Sequence, residues 1–112
     1  MQIACDSYYL LEINGLRVGR GPARGSAFKC FYDEYEVARF LRKGANRISV
    51  LGCCMNYPAQ GSMPVTPALR MALGDILLTD SSWRMSICKN EWPSNGPLYC
   101  PQIGYAEVQD LN

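Results

Sequence analysis

The stretch YYLLEINGLRV, residues 8–18, decides the fold class. Asn14-Gly15 stands between two apolar runs, and a two-residue type I′ turn needs positive φ at both central positions, which this dipeptide tolerates best. Such a turn sets Ile13 opposite Leu16 and Leu11 opposite Val18. Period-two alternation then places all four, with Tyr9, on one face. Turn chemistry and hydrophobic pattern agree on a half-buried antiparallel hairpin.

Working outward, similar signals recur. ALRMALGDILLT, residues 68–79, predicts a second hairpin about Gly74-Asp75, with Leu73 across from Ile76 and Met71 across from Leu78. NRISVLGCC, residues 46–54, reads as a strand with Ile48 and Val50 inward. Trp83, Met85 and Ile87 alternate with Arg84, Ser86 and Cys88, which predicts another half-buried strand with Trp83 in the core. The first residues, residues 27–35 and residues 102–108 also have strand composition. Val37, Phe40 and Leu41 have helical spacing and precede Gly44, as in one helical turn with a C′ glycine. Asp80-Ser81-Ser82 is a turn, and the Pro-bearing segments 55–67 and 89–101 read as loops. The pattern predicts one all-β domain over residues 1–112, a jelly-roll β-sandwich with almost no helix.

Composition removes several classes of function. Eleven Lys and Arg against ten Asp and Glu give a net charge of +1, without the basic face that nucleic acid requires. No apolar run reaches the roughly 18–20 residues of a membrane span. The first residues lack a basic region followed by an apolar one, so no signal peptide is visible, and the early strand suggests a chain that begins downstream of its natural start. There is no histidine, which excludes Ser–His–Asp and Cys–His catalysis. Six cysteines, at 5, 30, 53, 54, 88 and 100, contain no C-x-x-C pair and allow fifteen pairings. Small buried thiols are the simplest reading. Cys53 and Cys54 point to opposite faces of a strand and do not suit a bond to each other. Cys30, beside Lys29, is the one thiol that a neighbouring cation could activate.

The chemistry-bearing residues concentrate in GRGPARGSAFKCFYDEYEV, residues 19–37. Its glycines lack the strand–loop–helix setting of a phosphate loop. Asp33, Glu34 and Glu36 do not suit a glycosidase acid pair, because such pairs flank a cleft from different elements. The simpler expectation is solvation, or pairing with Arg20, Arg24 or Arg39. Arg20, Arg24, Tyr32 and Tyr35 combine planar donors with aromatic faces, which suits either a domain interface or a sugar, and the interface is favoured. Trp92 and Tyr99, in a Pro-rich loop, are further candidates to stack on a sugar. No catalytic residue and no metal ligand is assigned. Asp6, Asp75, Asp80 and Asp110 are scattered without a D-x-D-x-D loop, which argues against structural calcium.

Four segments carry a resemblance: YLLEINGLRVGRGPAR (9–24), FYDEYEVARFLRKGANRISVL (31–51), TDSSWRMS (79–86) and GYAEVQDLN (104–112). In order, and over nearly the whole chain, they resemble the N-terminal β-sandwich of bacterial α-L-rhamnosidases. The Asn-Gly hairpin and the L-x-x-G-x-N segment occur more widely in glycosidase sandwiches, and the GRGPAR and YDEYEV pair is the more specific part. The resemblance implies a galactose-binding-like jelly roll, excised from a secreted or periplasmic bacterial glycoside hydrolase. It implies no catalysis by this chain alone, since the family's catalytic acids lie in a separate (α/α) barrel. The expected partners are that barrel, the parent's other domains and rhamnose-containing glycans, with Arg20, Arg24, Tyr32, Asp33, Glu34, Tyr35, Trp92 and Tyr99 as carbohydrate-binding or interdomain residues. An autonomous carbohydrate-binding module is the alternative.

Overall fold

A computed structural model describes residues 1–23, 29–54 and 67–87, with the backbone of 98–100 and 104–105. In chain order the strands are β1 (Gln2–Cys5), β2 (Tyr8–Ile13), β3 (Leu16–Gly21), β4 (Asp33–Glu34), β5 (Ile48–Cys53), β6 (Leu69–Leu73), β7 (Leu77–Leu78), β8 (Leu98–Cys100) and β9 (Gly104–Tyr105). Among the described residues a single 3-10 turn, Ala38–Phe40, interrupts them. The fold is all-β. One antiparallel sheet runs β4-β1-β6-β7, a second runs β3-β2-β5, and β8 pairs with β9. Consecutive strands β1 and β2 belong to different sheets, and the chain changes sheet through Ser7, whose φ is 58°.

The two larger sheets share one core. Ile3 and Cys5 of β1 and Met71 of β6 meet Tyr9 and Leu11 of β2. Val18, Ile48, Val50, Leu77 and Trp83 are half-buried around them. Burying each large side chain contributes about 1.5–3 kcal/mol, so this cluster is the main source of stability.

The β2–β3 hairpin turns at Asn14-Gly15 with φ of 54° and 79°, as a type I′ turn requires. Ile13 faces Leu16 as expected, but the partner of Leu11 is Gly19, not Val18. An irregularity between Leu11 and Glu12 shifts the register by one residue on β3. Leu16 lies beyond the second sheet's cover and is 57 % exposed, although Ile13 opposite it is fully buried.

Other expectations need correction. The second hairpin has a three-residue connection, Gly74-Asp75-Ile76, which pairs Leu73 with Leu77 and Ala72 with Leu78. Gly74 adopts φ of 49°, the Ile76 amide bonds back to the Leu73 carbonyl at 3.0 Å, and the Ile76 side chain is turned into solvent. Only Asp33–Glu34 of the described part of 27–35 forms strand pairs in a sheet. Residues 84–87 form no strand: Trp83 packs on the core, yet Met85 is 95 % and Ile87 80 % exposed. Leu98–Cys100, assigned to a loop for its flanking prolines, pairs with Gly104–Tyr105. Gly44 does not end the helical turn, since Leu41 is already extended at its C-cap. Gly44 belongs to a bend organised by Asn46, whose side chain bonds the Arg42 amide and the Arg42 and Gly44 carbonyls at 2.9–3.0 Å.

Two outcomes follow from this core. Leu11→Ala should destabilise by about 2–5 kcal/mol, the range for emptying a fully buried leucine site, read as a lower urea midpoint at unchanged slope. Burial, then the nearby Asp6 charge, pushes the Cys5 thiol up from 9.0 to about 11. The folded chain therefore keeps a proton that the unfolded chain releases, so stability is retained below pH 9 and lost as pH rises to about 11. Urea midpoints should fall across that window, and less steeply in Cys5→Ala.

Candidate functional site

The register of β1 with β4 determines what the acidic block does. Ile3 lies opposite Asp33, and Gln2 opposite Glu34. Ile3 is buried, so Asp33 shares its inward face while Glu34 points out. Tyr35, two residues on from Asp33, follows it inward. Its amide bonds the Met1 carbonyl at 2.8 Å, continuing the pairing beyond β4.

On β3 the inward positions next to these side chains are glycines. Gly21 pairs with Tyr9 and Gly19 with Leu11. A Cβ at Gly21 would collide with the Asp33 carboxylate, and one at Gly19 with the Tyr35 ring. The two glycines thus leave a slot that Asp33 and Tyr35 fill. There the Tyr9 hydroxyl donates to Asp33 Oδ2 at 2.5 Å and lies 3.0 Å from the Tyr35 hydroxyl. The Tyr35 hydroxyl lies 3.2 Å from the Arg20 carbonyl, which it can reach as donor. Burial, then the hydrogen bond to Asp33, holds the Tyr9 hydroxyl far above the ordinary phenol range. Tyr9 therefore remains a neutral donor to Asp33.

The carboxylates have partners other than the arginines. Glu34 accepts from Gln2 Nε2 at 2.6 Å, and Glu36 accepts from the Ala38 amide at 3.2 Å. Arg39 sits 4.7 Å over the Phe40 ring. Arg20 enters the network through its carbonyl, while its side chain is exposed and shares the outer face with Leu10, its partner on β2. Phe31 and Tyr32 precede β4 outside any strand and are 46 % and 59 % exposed, next to exposed Lys29 and Cys30. The structure thus brings Asp33, Tyr35 and the Arg20 backbone together, and leaves the Arg20 side chain, Tyr32 and Glu34 on the surface. Arg24 and Trp92 lie outside the described residues, and Tyr99 is described only as backbone in β8.

Cys5 is buried, Cys30 is exposed, and Cys53 and Cys54 are half-buried. Cys54 Sγ bonds Asp6 Oδ2 at 3.0 Å, and the exposed Cys30 bonds the Phe31 carbonyl at 3.5 Å. Among the described residues no group of three or more Cys, Asp or Glu is arranged to hold a metal ion, and no helix is long and apolar enough to cross a membrane. An open, polar depression lies beside Glu34, lined by Met1, Gln2, Glu34, Tyr35, Glu36, Ala72 and Gly74.

Sequence reasoning assigned Tyr9 to the core and missed its hydroxyl. The available signal was the Gly-x-Gly of β3 in inward phase opposite Tyr9, which demands a bulky filler from elsewhere. The slot yields a sharp test. Gly21→Ala should destabilise by about 1–3 kcal/mol through overpacking, and Asp33→Ala by a similar amount through the orphaned Tyr9 hydroxyl. The double variant should be less destabilised than the sum by about 1 kcal/mol or more in a denaturation cycle. Against known proteins, no family model, no curated protein and no solved structure matches this chain.

Proposed function

We propose that this chain is a non-catalytic accessory domain of an α-L-rhamnosidase-like glycoside hydrolase, a jelly-roll sandwich that docks on the catalytic unit. The carrying observation is how the two most specific segments of the resemblance are used. The GRGP segment and the YDEYEV segment interlock through Gly19, Gly21, Asp33 and Tyr35. A motif used this way specifies a fold rather than a reaction. Asp33 is turned inward onto Tyr9, and Glu34 is held by Gln2.

What remains outward suits contact. Phe31, Tyr32 and the Arg20 side chain are of the types enriched at domain interfaces. Exposed Met85 and Ile87, in TDSSWRMS and directly after it, add apolar surface of the kind that a partner covers. Tyr32 also offers a ring face to a sugar, and that is what an autonomous carbohydrate-binding module would use.

The reading is tested on the open reading frame around this chain and on the isolated domain. The frame is expected to continue into an (α/α) barrel. That barrel, supplied separately, should bind the domain and broaden amide signals of residues 29–32 and 84–87. L-rhamnose and rhamnosides at millimolar concentration should leave the spectrum unchanged. A frame that ends without a barrel would refute the accessory role. Saturable sugar shifts abolished by Tyr32→Ala would establish the binding module instead.

A further inference from the structure

Asn14-Gly15 has a chemistry besides turn formation. The glycine amide nitrogen is the least hindered backbone nucleophile that can attack the side-chain carbon of a preceding asparagine. Attack forms an N–Cγ bond and breaks Cγ–Nδ2, releasing ammonia. Water then opens the cyclic imide to aspartate or isoaspartate, so no other reactant is consumed. The step needs a side-chain amide that is free to rotate toward the Gly15 nitrogen.

In the folded chain that amide is held at both ends. Asn14 Nδ2 donates to the Phe40 carbonyl at 2.8 Å and to Asn46 Oδ1 at 2.9 Å. Asn14 Oδ1 accepts from the Arg47 amide at 3.0 Å, and the Asn14 amide donates to the Arg47 carbonyl at 2.8 Å. Asn46, in turn, is fixed by its own bonds to Arg42 and Gly44. The side-chain bonds aim the amide at residues 40–47 rather than at Gly15. Backbone φ of 54° fixes the stem from which it projects.

We propose that Asn14 is a conditional modification site, closed in the folded protein by this clamp and open once residues 40–47 release it, and that its conversion prevents the clamp from re-forming. Aspartate at position 14 has no N–H for the Phe40 carbonyl and sets a carboxylate against Asn46 Oδ1, acceptor against acceptor. Isoaspartate also adds a backbone atom at the turn that sets Ile13 opposite Leu16. An excursion out of the native state would thereby leave a permanent mark.

The experiment is peptide mapping by mass spectrometry after incubation at mildly alkaline pH, in native buffer and in concentrated guanidinium chloride. The chain supplies its own calibration, because Asn95-Gly96 repeats the dipeptide. In denaturant both sites should convert at comparable rates. In native buffer Asn14 should be slower than in denaturant by about tenfold or more, each tenfold reporting about 1.4 kcal/mol of opening free energy. Equal native and denatured rates at Asn14 would overturn the proposal. Asn46→Ala should raise the native rate at Asn14 and leave the denatured rate unchanged, and no change in the native rate would remove the clamp as its cause. Asn14→Asp should refold with a lower denaturation midpoint, and wild-type stability would overturn the claim that conversion blocks re-formation.

Discussion

The hydrogen bond from Tyr9 to Asp33 is the contact on which the rest of the structure depends. It joins the central strand of one sheet to the edge strand of the other at the point where the two sheets meet. A phenol without a partner there would be a buried polar group, and an aspartate without one would be a half-buried charge, each destabilising by itself. Together they satisfy one another and leave the surrounding cluster of Ile3, Cys5, Leu11 and Met71 apolar. The glycines of β3 belong to the same constraint, since the space for Asp33 and Tyr35 exists only where β3 has no side chain. The two arms of the hairpin and the β4 segment are thus fitted to one slot, and a change in any of them is felt by the other two.

How legible this was depended on the range of each determinant. The Asn14-Gly15 turn and the alternation of Tyr9, Leu11 and Ile13 are local, and the hairpin, its turn and its buried face follow from them. The all-β class follows from repetition of such signals. The register beyond the turn does not: the shift at Leu11–Glu12 sets Gly19 and Gly21 opposite Leu11 and Tyr9, beside Tyr35 and Asp33 arriving from elsewhere. Residues 84–87 illustrate the opposite error. Their alternation is real, yet a strand needs a neighbour to bond with, and period-two spacing alone supplies none. Gly74-Asp75 offered a two-residue turn, and Ile76 joined the loop because pairing Leu73 with Leu77 puts both leucines on the core side.

The candidate site was legible in location and not in role. Residues 19–37 were singled out for their arginines, tyrosines and acids, and the structure does bring much of that segment together. It uses the inward members as packing and hydrogen-bonding parts and the outward members as surface. Sequence alone could not separate the two sets, because inward and outward on a two-residue strand such as β4 are set by its partner β1, whose paired residues lie 30 and 32 positions away. Asn14 and Asn46 show the same point: one reads as a turn residue and the other as the start of a strand, and the fold makes them one another's partners.

The placement of β1 has a consequence for how the chain comes into being. Gln2 pairs with Glu34 on one side and Ala72 on the other, so β1 is made before either of the strands it pairs with. The β2–β3 hairpin can form as soon as its turn is made, since its contacts are local. Until β6 emerges, its inward Tyr9 and Leu11 lack the cover of Met71. From the completion of β3 to the emergence of β6 a nascent chain would carry an apolar, half-built sheet, the interval in which exposed strands recruit unwanted partners. The residues that Asn14 of that hairpin bonds, 40–47, are all made before β6.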